Sequence, residues 1–416
     1  MSEAWSALSE IADLRMGETI TTSDCDGFGL PIYSADTGNT PWNYSSNIRR
    51  KLPHGTIIVG ARGSIGYPRM PNASQFGATQ TTITVTPRIR EIRGRFLLWQ
   101  LRWAELSKIA LQQAVPMLTV GDLGRLQVRV FSEQEQAIIT EILDTLDTQI
   151  RRTEEVIAKL EQVKQGLLTD LLTRGIDENG ELRPSPVVAP ELYKDSPVGW
   201  IPSEWNAVQV KDIADVKGGK RLPSGHDYAK EKTSYRYLRV TDFFERQYRL
   251  DHLYCLNEET FTELARYEIR PGDLYISIAG SIGYAGVHQP EDLMSARVIL
   301  TENAARLVLR TDAVPDYLAL AINDHRVQSQ IEAEKGTGGG VPKLALFRIE
   351  NLWLALPGEN EQKKICSRMR SVAKRNELEE FTLQKLWAQK TGLMDDLLTG
   401  RVRVTPLLEQ AEQATG

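Results

Sequence analysis

The chain is written twice. Residues Val115 to Thr173 realign with Val341 to Thr399 at a constant offset of 226 and without a gap. Leu118 matches Leu344 and Leu126 matches Leu352. Glu133, Glu135 and Gln136 match Glu359, Glu361 and Gln362, Ile139 matches Ile365, and Lys159-Leu160 matches Lys385-Leu386. Agreement is densest at the end, where Lys164, Gly166, Leu167 and Asp170 to Thr173 correspond to Lys390, Gly392, Leu393 and Asp396 to Thr399. Earlier segments recur at shorter offsets. Gly63-Ser-Ile-Gly-Tyr67 returns as Gly280-Ser-Ile-Gly-Tyr284, and Ile11-Ala-Asp13 as Ile213-Ala-Asp215. Several matches in one order mean two divergent copies of one unit of roughly 200 residues, and a period that long is not a solenoid's. The offset grows along the unit, so the second copy carries insertions ahead of its long helix.

Each copy has two parts. The first, 1–132 or 205–358, is mixed. The β-branched runs Thr56 to Val59, Thr82 to Thr86, Leu274 to Ile278 and Arg306 to Leu309 lie between Gly, Pro and Asn turns and read as strands. Phe96 to Leu111 and Pro315 to Glu334 read as helices. The second part is one long helix, over 133–175 and again over 359–401. From Glu133 to Thr173 there is no proline and a single glycine, Gly166. Ile139, Leu143, Leu146, Ile150, Ile157, Leu160, Leu167 and Leu171 form a heptad seam interrupted by Thr153 and Lys164. Ser132 and Glu135 make a capping box at its start. Ile365, Met369, Val372, Leu383, Leu386, Leu393 and Leu397 hold the same phase in the second copy, interrupted by Asn376 and Glu379. At 1.5 Å per residue each helix is roughly 60 Å long. Seams in identical register predict that the helices pair with each other. The 176–204 segment carries Pro184, Pro186, Pro190, Pro197 and Pro202 and reads as an extended connector. It lets the second helix run back along the first. The expectation is an α+β chain. Two globular α/β domains in a pseudo-two-fold arrangement are separated by a pair of long antiparallel coiled-coil helices, and 402–416 form a tail.

The chemistry of most enzyme classes is missing. There is no GxxxxGK[ST] loop and no GxSxG elbow. Gly60-Ala-Arg-Gly63-Ser-Ile-Gly66 is not GxGxxG, and its recurrence around Gly280 and Gly283 marks a structural turn. No Asn- or Asp-Pro-Pro-aromatic motif of an amino-methyltransferase is present. Glu361-Gln-Lys363 resembles a nuclease E-x-K but sits at a helix start, and its counterpart ends in Ala137. The 5 histidines lack HxxxH or HExxH spacing, so no metal is expected. Cys25, Cys255 and Cys366 lie far apart, which fits a reducing cytoplasm rather than a disulfide framework. No run of about 18 apolar residues exists, and the first ten residues have no signal-peptide character.

The net charge of -5 hides a division. Residues 1–132 hold 14 Lys and Arg against 10 Asp and Glu, and residues 133–204 hold 7 against 15. Residues 205–358 hold 19 against 21, and residues 359–416 hold 10 against 9. The acidity therefore lies in the first helix and connector. The first globular part carries Arg49, Arg50, Lys51, Arg62 and Arg69, then Arg88, Arg90, Arg93 and Arg95. The second carries Lys217, Lys220, Arg221, Lys230, Lys232, Arg236, Arg239, Arg246 and Arg249, interleaved with Tyr228, Tyr235, Tyr237, Phe243, Phe244 and Tyr248. Such cations neutralise phosphates, and arginine reads guanine in the major groove. Each cluster is also readable as a solvated face.

Three groups of residues carry a resemblance. The first is Ser196-Pro-Val-Gly-Trp-Ile-Pro-Ser-Glu-Trp205. The second is Gly338-Gly-Gly-Val-Pro-Lys343 with Pro357-Gly-Glu359-x-Glu361-Gln362. The third is the closing Lys390-x-Gly-Leu-Met-x-x-Leu-Leu-Thr-Gly400. With the first-copy counterparts Val115-Pro-Met117, Ser132-Glu-Gln-Glu-Gln136 and Lys164 to Thr173, the chain resembles the specificity subunit of a Type I restriction-modification system. The first copy departs in lacking the GW-I-P-x-x-W opening and in carrying Gln113-Ala-Val-Pro116 where the second is glycine-rich.

The resemblance implies a non-catalytic subunit of a DNA adenine methyltransferase and restriction endonuclease complex. Each globular part would be a target-recognition domain reading one half of a bipartite double-stranded DNA site. The helices would set the spacer and dock two modification subunits. Those bring S-adenosylmethionine, and restriction subunits bring ATP and Mg. The chain itself binds no cofactor in this reading. The apolar positions Ile138, Ile142, Val156, Leu168 and Leu172 are candidates for facing a partner subunit. Candidate DNA-binding residues are Arg49, Arg50, Lys51, Arg62, Ser64, Tyr67 and Arg69 in the first domain and Lys217, Lys220, Arg221, Arg236, Arg239, Ser281 and Tyr284 in the second. The two GSIGY turns read equally well as scaffold. The competing classes are a coiled-coil scaffold without DNA readout and a DNA mimic acting through its acidic first helix.

Overall fold

The structure is a computed structural model that describes residues 5–88, 92–110, 116–243, 252–289, 296–334 and 342–407. Arg90, Val115, Phe244, Arg246, Tyr248, Arg249 and the 336–341 glycine-rich segment fall outside the described residues. The chain divides into two compact units. One comprises Met1–Ile157 with Leu378–Gly416, and the other comprises Ala158–Glu377.

The globular part of the first unit, its head, runs β1 (Trp5–Ala7), α1 (Leu8–Ile11), β2 (Ala12–Met16), β3 (Leu30–Tyr33), β4 (Asn43–Ser45), β5 (Leu52–Pro53), β6 (Ile57–Gly60), β7 (Pro68–Arg69), β8 (Gln75–Ala78), β9 (Thr82–Pro87), α2 (Gly94–Trp103), α3 (Ser107–Ala110), α4 (Val120–Gly124) and β10 (Gln127–Arg129), and leads into the long α5 (Glu133–Thr173). The strands make sheets ordered β2-β9-β6-β7 and β4-β3-β8-β5 and a β1-β10 ribbon. One pair, β3 with β8, is parallel. The alternation of β6 explains the layering. Ile57 and Val59 point to a core shared with Leu97, Leu98 and Leu101 of α2, while Ile58 packs with Tyr33, Leu52 and Phe76 of the second sheet.

The second unit repeats this plan. The connector supplies β11 (Tyr193–Lys194) and β12 (Ile201–Pro202). The head then runs β13 (Asn206–Gln209), α6 (Val210–Ile213), β14 (Ala214–Gly218), β15 (Tyr235–Leu238), β16 (Tyr254–Cys255), α7 (Glu258–Leu264), β17 (Glu268–Ile269), β18 (Leu274–Ser277), β19 (Ala285–Val287), β20 (Arg297–Leu300), β21 (Ala304–Leu309), α8 (Pro315–Ile322), α9 (His325–Glu334), α10 (Leu346–Glu350) and β22 (Trp353–Leu356), before α11 (Glu359–Leu398). Sheet orders β14-β21-β18-β19 and β16-β15-β20-β17 and the β13-β22 ribbon match the first head strand for strand. The parallel pair recurs as β15 with β20. Leu274 and Ile276 face the helices and Tyr275 faces the second sheet, as in β6. The helix α7 is one of the expected insertions.

Two expected helices are each broken in two. The Phe96–Leu111 stretch stops at Trp103, and Glu105 takes a left-handed φ of 46° before α3 begins. Pro315–Glu334 breaks after Ile322. There Asn323 turns its amide onto the Ala285 backbone (2.7 and 3.2 Å), and the Asp324 carboxylate accepts the Arg326 N–H of the next helix. The sequence pattern did not carry the Asn323 contact, because its partner Ala285 lies on a strand 38 residues away.

The connector is not extended. Tyr193-Lys194 pairs with Ile201-Pro202, Ile176 bridges Leu182, and Ile176, Val198 and Ile201 are buried in the second unit's core. Nor do 402–407 form a tail, since Val404 is buried beside Ile139, Leu143 and Leu397.

The helix seams hold. Between Arg151 and Leu167 of α5, Thr153, Ile157, Leu160, Lys164 and Leu167 are shielded while the other positions are exposed. In α11 the shielded set includes Ile365, Met369, Val372, Asn376, Glu379, Leu383, Leu386, Lys390, Leu393 and Leu397. Of the positions expected to face a partner, Leu168 and Leu172 are buried within the second unit, and Ile138 and Ile142 pack in the first. Val156 alone of the five remains exposed, because a broad apolar face at each helix end is needed to seat a head. In the first unit Glu135 meets Arg403 and Asp147 meets Lys390, so the two helices pair antiparallel.

The helix ends are fastened alike in both units. The capping box forms, with the Ser132 N–H donating to Glu135 and the Glu135 N–H to Ser132. Gln136, fully buried, donates to the Phe131 carbonyl and accepts the Arg93 N–H that precedes α2. Gln362 repeats this with Pro357 and Val314. Glu135 binds Arg403, and Glu361 binds Arg183, the Ile176 N–H and the Trp205 indole. Each cation comes from the segment just after the other copy's helix.

Two outcomes follow. Glu361→Ala leaves the buried Arg183 guanidinium with only the exposed Glu204 carboxylate as its ion partner and strands the Ile176 N–H and the Trp205 indole, so it should destabilise the chain by about 3 kcal/mol in urea unfolding. Burial pushes the Asp147 carboxyl up, but the Lys390 ammonium at 2.5 Å and the Arg102 guanidinium outweigh it, so it lies below the usual carboxylate value. A depressed pKa gives stability that is present above the unfolded value and is lost as pH falls through the folded one. Asp147→Asn should therefore cost about 2 kcal/mol at pH 7. The gap to the unsubstituted protein should close in unfolding measured well below pH 4.

Candidate nucleic-acid interface

The GSIGY turns are the same device in both heads. In the first, the Gly60 N–H donates to the Tyr67 carbonyl (3.2 Å) and the Gly66 N–H to the Gly60 carbonyl (2.8 Å). In the second, Ser277 and Tyr284, then Gly283 and Ser277, repeat the pair at 2.9 Å each. Gly66 has φ 73° and Gly283 has φ 90°, a region where side chains are strained. A Cβ on Gly66 would also lie 2.4 Å from the Ser107 nitrogen. The glycines are thus scaffold, and the candidate residues are those that the turns display. Arg62 is exposed, with its Nε donating to the Met117 sulfur at 3.2 Å. Ser64 is half-buried beside it, and Tyr67 is 40% exposed. In the second head Ser281 is exposed, while Tyr284 is half-buried with its ring near Phe243.

Arg69 departs from the expectation of a base contact. It is 3% exposed, because β7 points it inward across Tyr33. Its guanidinium holds the Asp36 carboxylate and the Ser34 and Gly38 carbonyls. Both terminal nitrogens of the fork are spent on the loop that leaves β3. Arg49 and Lys51 are exposed, whereas Arg50 is half-buried and donates to the Met16 carbonyl at 2.7 Å. Arg88, Arg93 and Arg95 pair with Asp13, Glu133 and Asp144.

In the second head Lys217 and Lys220 are exposed. Arg221 is exposed but pairs with Glu302 at 2.8 Å. Burial pushes Glu302 up, yet Arg221 and the Thr301 hydroxyl hold it below the usual carboxylate value, so it stays ionised beside that arginine. Burial pushes the Tyr237 phenol up to about 12, so it remains a donor, to the Lys220 carbonyl. Arg236 folds back onto the Thr233 and Tyr235 carbonyls, and Arg239 binds Asp242 while lying 4.2 Å over the Tyr254 ring. Both fall short of the free cations expected. Their hydrogen-bond partners are one or three residues away, and no charge pattern in the sequence distinguished them from solvated arginines.

Arg69→Met strands the Ser34 and Gly38 carbonyls and should cost about 2–3 kcal/mol in thermal or urea unfolding. Tyr67→Ala, at the exposed turn, should stay within about 0.5 kcal/mol of the unsubstituted chain.

Among the described residues no helix is long and apolar enough to cross a membrane, and no cluster of His, Cys, Asp or Glu is placed to hold a metal ion. The family model for the Type I restriction modification DNA specificity domain matches twice, over residues 3–162 and 202–387. The chain is 21% identical over 277 residues to the Type I restriction enzyme MjaVIII specificity subunit of Methanocaldococcus jannaschii, covering 66% of this chain and 61% of that protein. It is 25% identical over 316 residues to the Escherichia coli EcoBI specificity subunit, covering 67% and 63% respectively. It is also similar to the crystal structure of a Type I restriction-modification S subunit from M. genitalium. There the TM-score is 0.57 at 14% identity, with 96% of each chain covered, a likeness of fold. Two matched domains on one repeated frame place this chain in the Type I restriction-modification DNA specificity family.

Proposed function

We propose that this chain is the DNA-recognition subunit of a Type I restriction-modification complex. Each head reads one half of a bipartite duplex site. The paired helices fix the unread spacer and dock two modification subunits, which bring S-adenosylmethionine. Restriction subunits, with ATP and Mg, complete the assembly in the cytoplasm. The chain takes no chemical step of its own and binds no cofactor.

The observation that carries this reading is the repetition of one strand order in two heads whose displayed side chains differ. Arg62, Ser64 and Tyr67 stand on the first GSIGY turn, and Ser281 and Tyr284 on the second. One frame with two sets of contacts suits two unlike half-sites. Exposed Arg49, Lys51 and Lys220 are available to phosphates, which position a protein without selecting sequence, while Lys217 lies 3.8 Å from Asp215.

The helices offer the partner a surface. Val156, Val163, Leu378, Phe381 and Trp387 are exposed on helices whose seams are already satisfied. The scaffold reading, without DNA contact, predicts no motif in the methylation pattern of the complex. Mapping methylated adenines in cells expressing this chain with its modification subunit should instead give one split motif with a fixed gap. Adding one heptad to each helix keeps the 4-3 seam phase and should change that gap. An unchanged gap would defeat the ruler role.

A further inference from the structure

We propose that the loop leaving β3, residues Ser34 to Pro41, is the base-reading element of the first head. Asn39, flanked by Thr37 and Thr40, meets base edges, and Arg69 is the positioning residue beneath it. This rests on the DNA-recognition reading above.

The inner half of the loop is tied from every side. Arg69 holds Ser34, Asp36 and Gly38. The Ser64 N–H of the GSIGY turn donates to the Ala35 carbonyl at 3.4 Å. The Thr81 hydroxyl accepts the Ala35 N–H and shares a hydrogen bond with Ser34, while Thr79 donates to Ser34 at 3.0 Å. The Gly38 N–H donates to Asp36 at 2.9 Å, and the Trp42 N–H closes the loop on Ile32 at 2.8 Å. The outer half, Thr37 to Thr40, is exposed.

A buried guanidinium spent on a surface loop has a cost in desolvation that stability alone does not call for. It yields a preorganised loop, which loses little entropy on binding. The displayed groups suit base edges. An asparagine amide pairs bidentately with adenine N6 and N7, and threonine offers a hydroxyl and a methyl that suits thymine. Arg69 also neutralises Asp36, the one acid in the loop, which would otherwise repel phosphates. Exposed Arg62 stands on the neighbouring turn to meet them.

The second head builds the same place with other residues. The segment after β15 is fixed by the Arg239–Asp242 pair, Val240 lies 3.9 Å from a Cβ placed on Gly280, and Phe243 packs on Tyr275. An arginine–aspartate clamp beside the GSIGY turn thus recurs, although one arginine comes from β7 and the other from the loop itself.

The test uses the chain assembled with its modification subunit. Binding is competed against duplexes that each change one base pair of the mapped site. The unsubstituted complex should discriminate in both half-sites; if it does not, the DNA-recognition reading fails before this inference is reached. Asn39→Ala should lose about tenfold or more of the discrimination at one or two adjacent positions of one half-site and keep the rest. Arg69→Lys, which keeps the charge but not the fork, should weaken discrimination at those same positions, which a general loss of stability would not select. Glu178→Ala, exposed on the connector of the second unit, should leave the panel unchanged. Full discrimination retained by Asn39→Ala, Thr37→Ala and Thr40→Ala together, or equal loss across both half-sites, overturns the proposal.

Discussion

A buried glutamine in the first turn of each long helix joins that helix to its own head. Gln136 and Gln362 each bridge the backbone before the helix to the backbone that starts the head's own helix, α2 or α8. The neighbouring Glu135 and Glu361 reach the other way, to a cation that follows the opposite helix. Each unit holds the start of one long helix and the end of the other, and the first is therefore assembled from two separate stretches of the chain. The helix ends are finished on the same principle. Gln100 donates to the Leu398 carbonyl and Arg326 to the Leu172 carbonyl, supplying partners to last-turn groups that the helix itself leaves open. The antiparallel pairing seen in the first unit follows from these fastenings as much as from the apolar seam.

The same economy shapes the heads. A strand buried on both faces serves two cores at once, so β6 and β18 read as short continuous apolar runs. The side chains that vary between heads sit on turns whose glycines do not vary in role. Gly66 and Gly283 accept a left-handed backbone against a neighbouring helical segment, and this lets Arg62 and Tyr67, or Ser281, stand out on a rigid base. Rigid turns on a repeated frame let the displayed side chains differ between the heads without disturbing the core.

Charge was the least legible property. Arg69 and Arg62 are seven residues apart in one glycine-rich stretch and look alike in sequence, yet one is buried under a loop and the other faces solvent. The difference is the strand-and-turn geometry, which points position 69 inward and position 62 outward. Arg236 and Arg239 lost their freedom to carbonyls and an aspartate a few residues away. The candidate reading loop passed unnoticed for the converse reason. Thr37, Asn39 and Thr40 are ordinary turn residues, and only the guanidinium beneath them sets them apart.

The sequence by itself determined the repeat, the capping box, the seam register of both long helices and the strands at the centre of each head. All of these rest on local periodicity or on residues within one turn of each other. Tertiary structure decided the rest. It broke two expected helices, one at the left-handed Glu105 and one where Asn323 bonds Ala285, and it folded the proline-rich connector and residues 402–407 into the units. It also divided the arginines into clamps and exposed cations. Those outcomes depend on partners tens to hundreds of residues away, and the free energy of burying a polar group is fixed by whether such a partner is present.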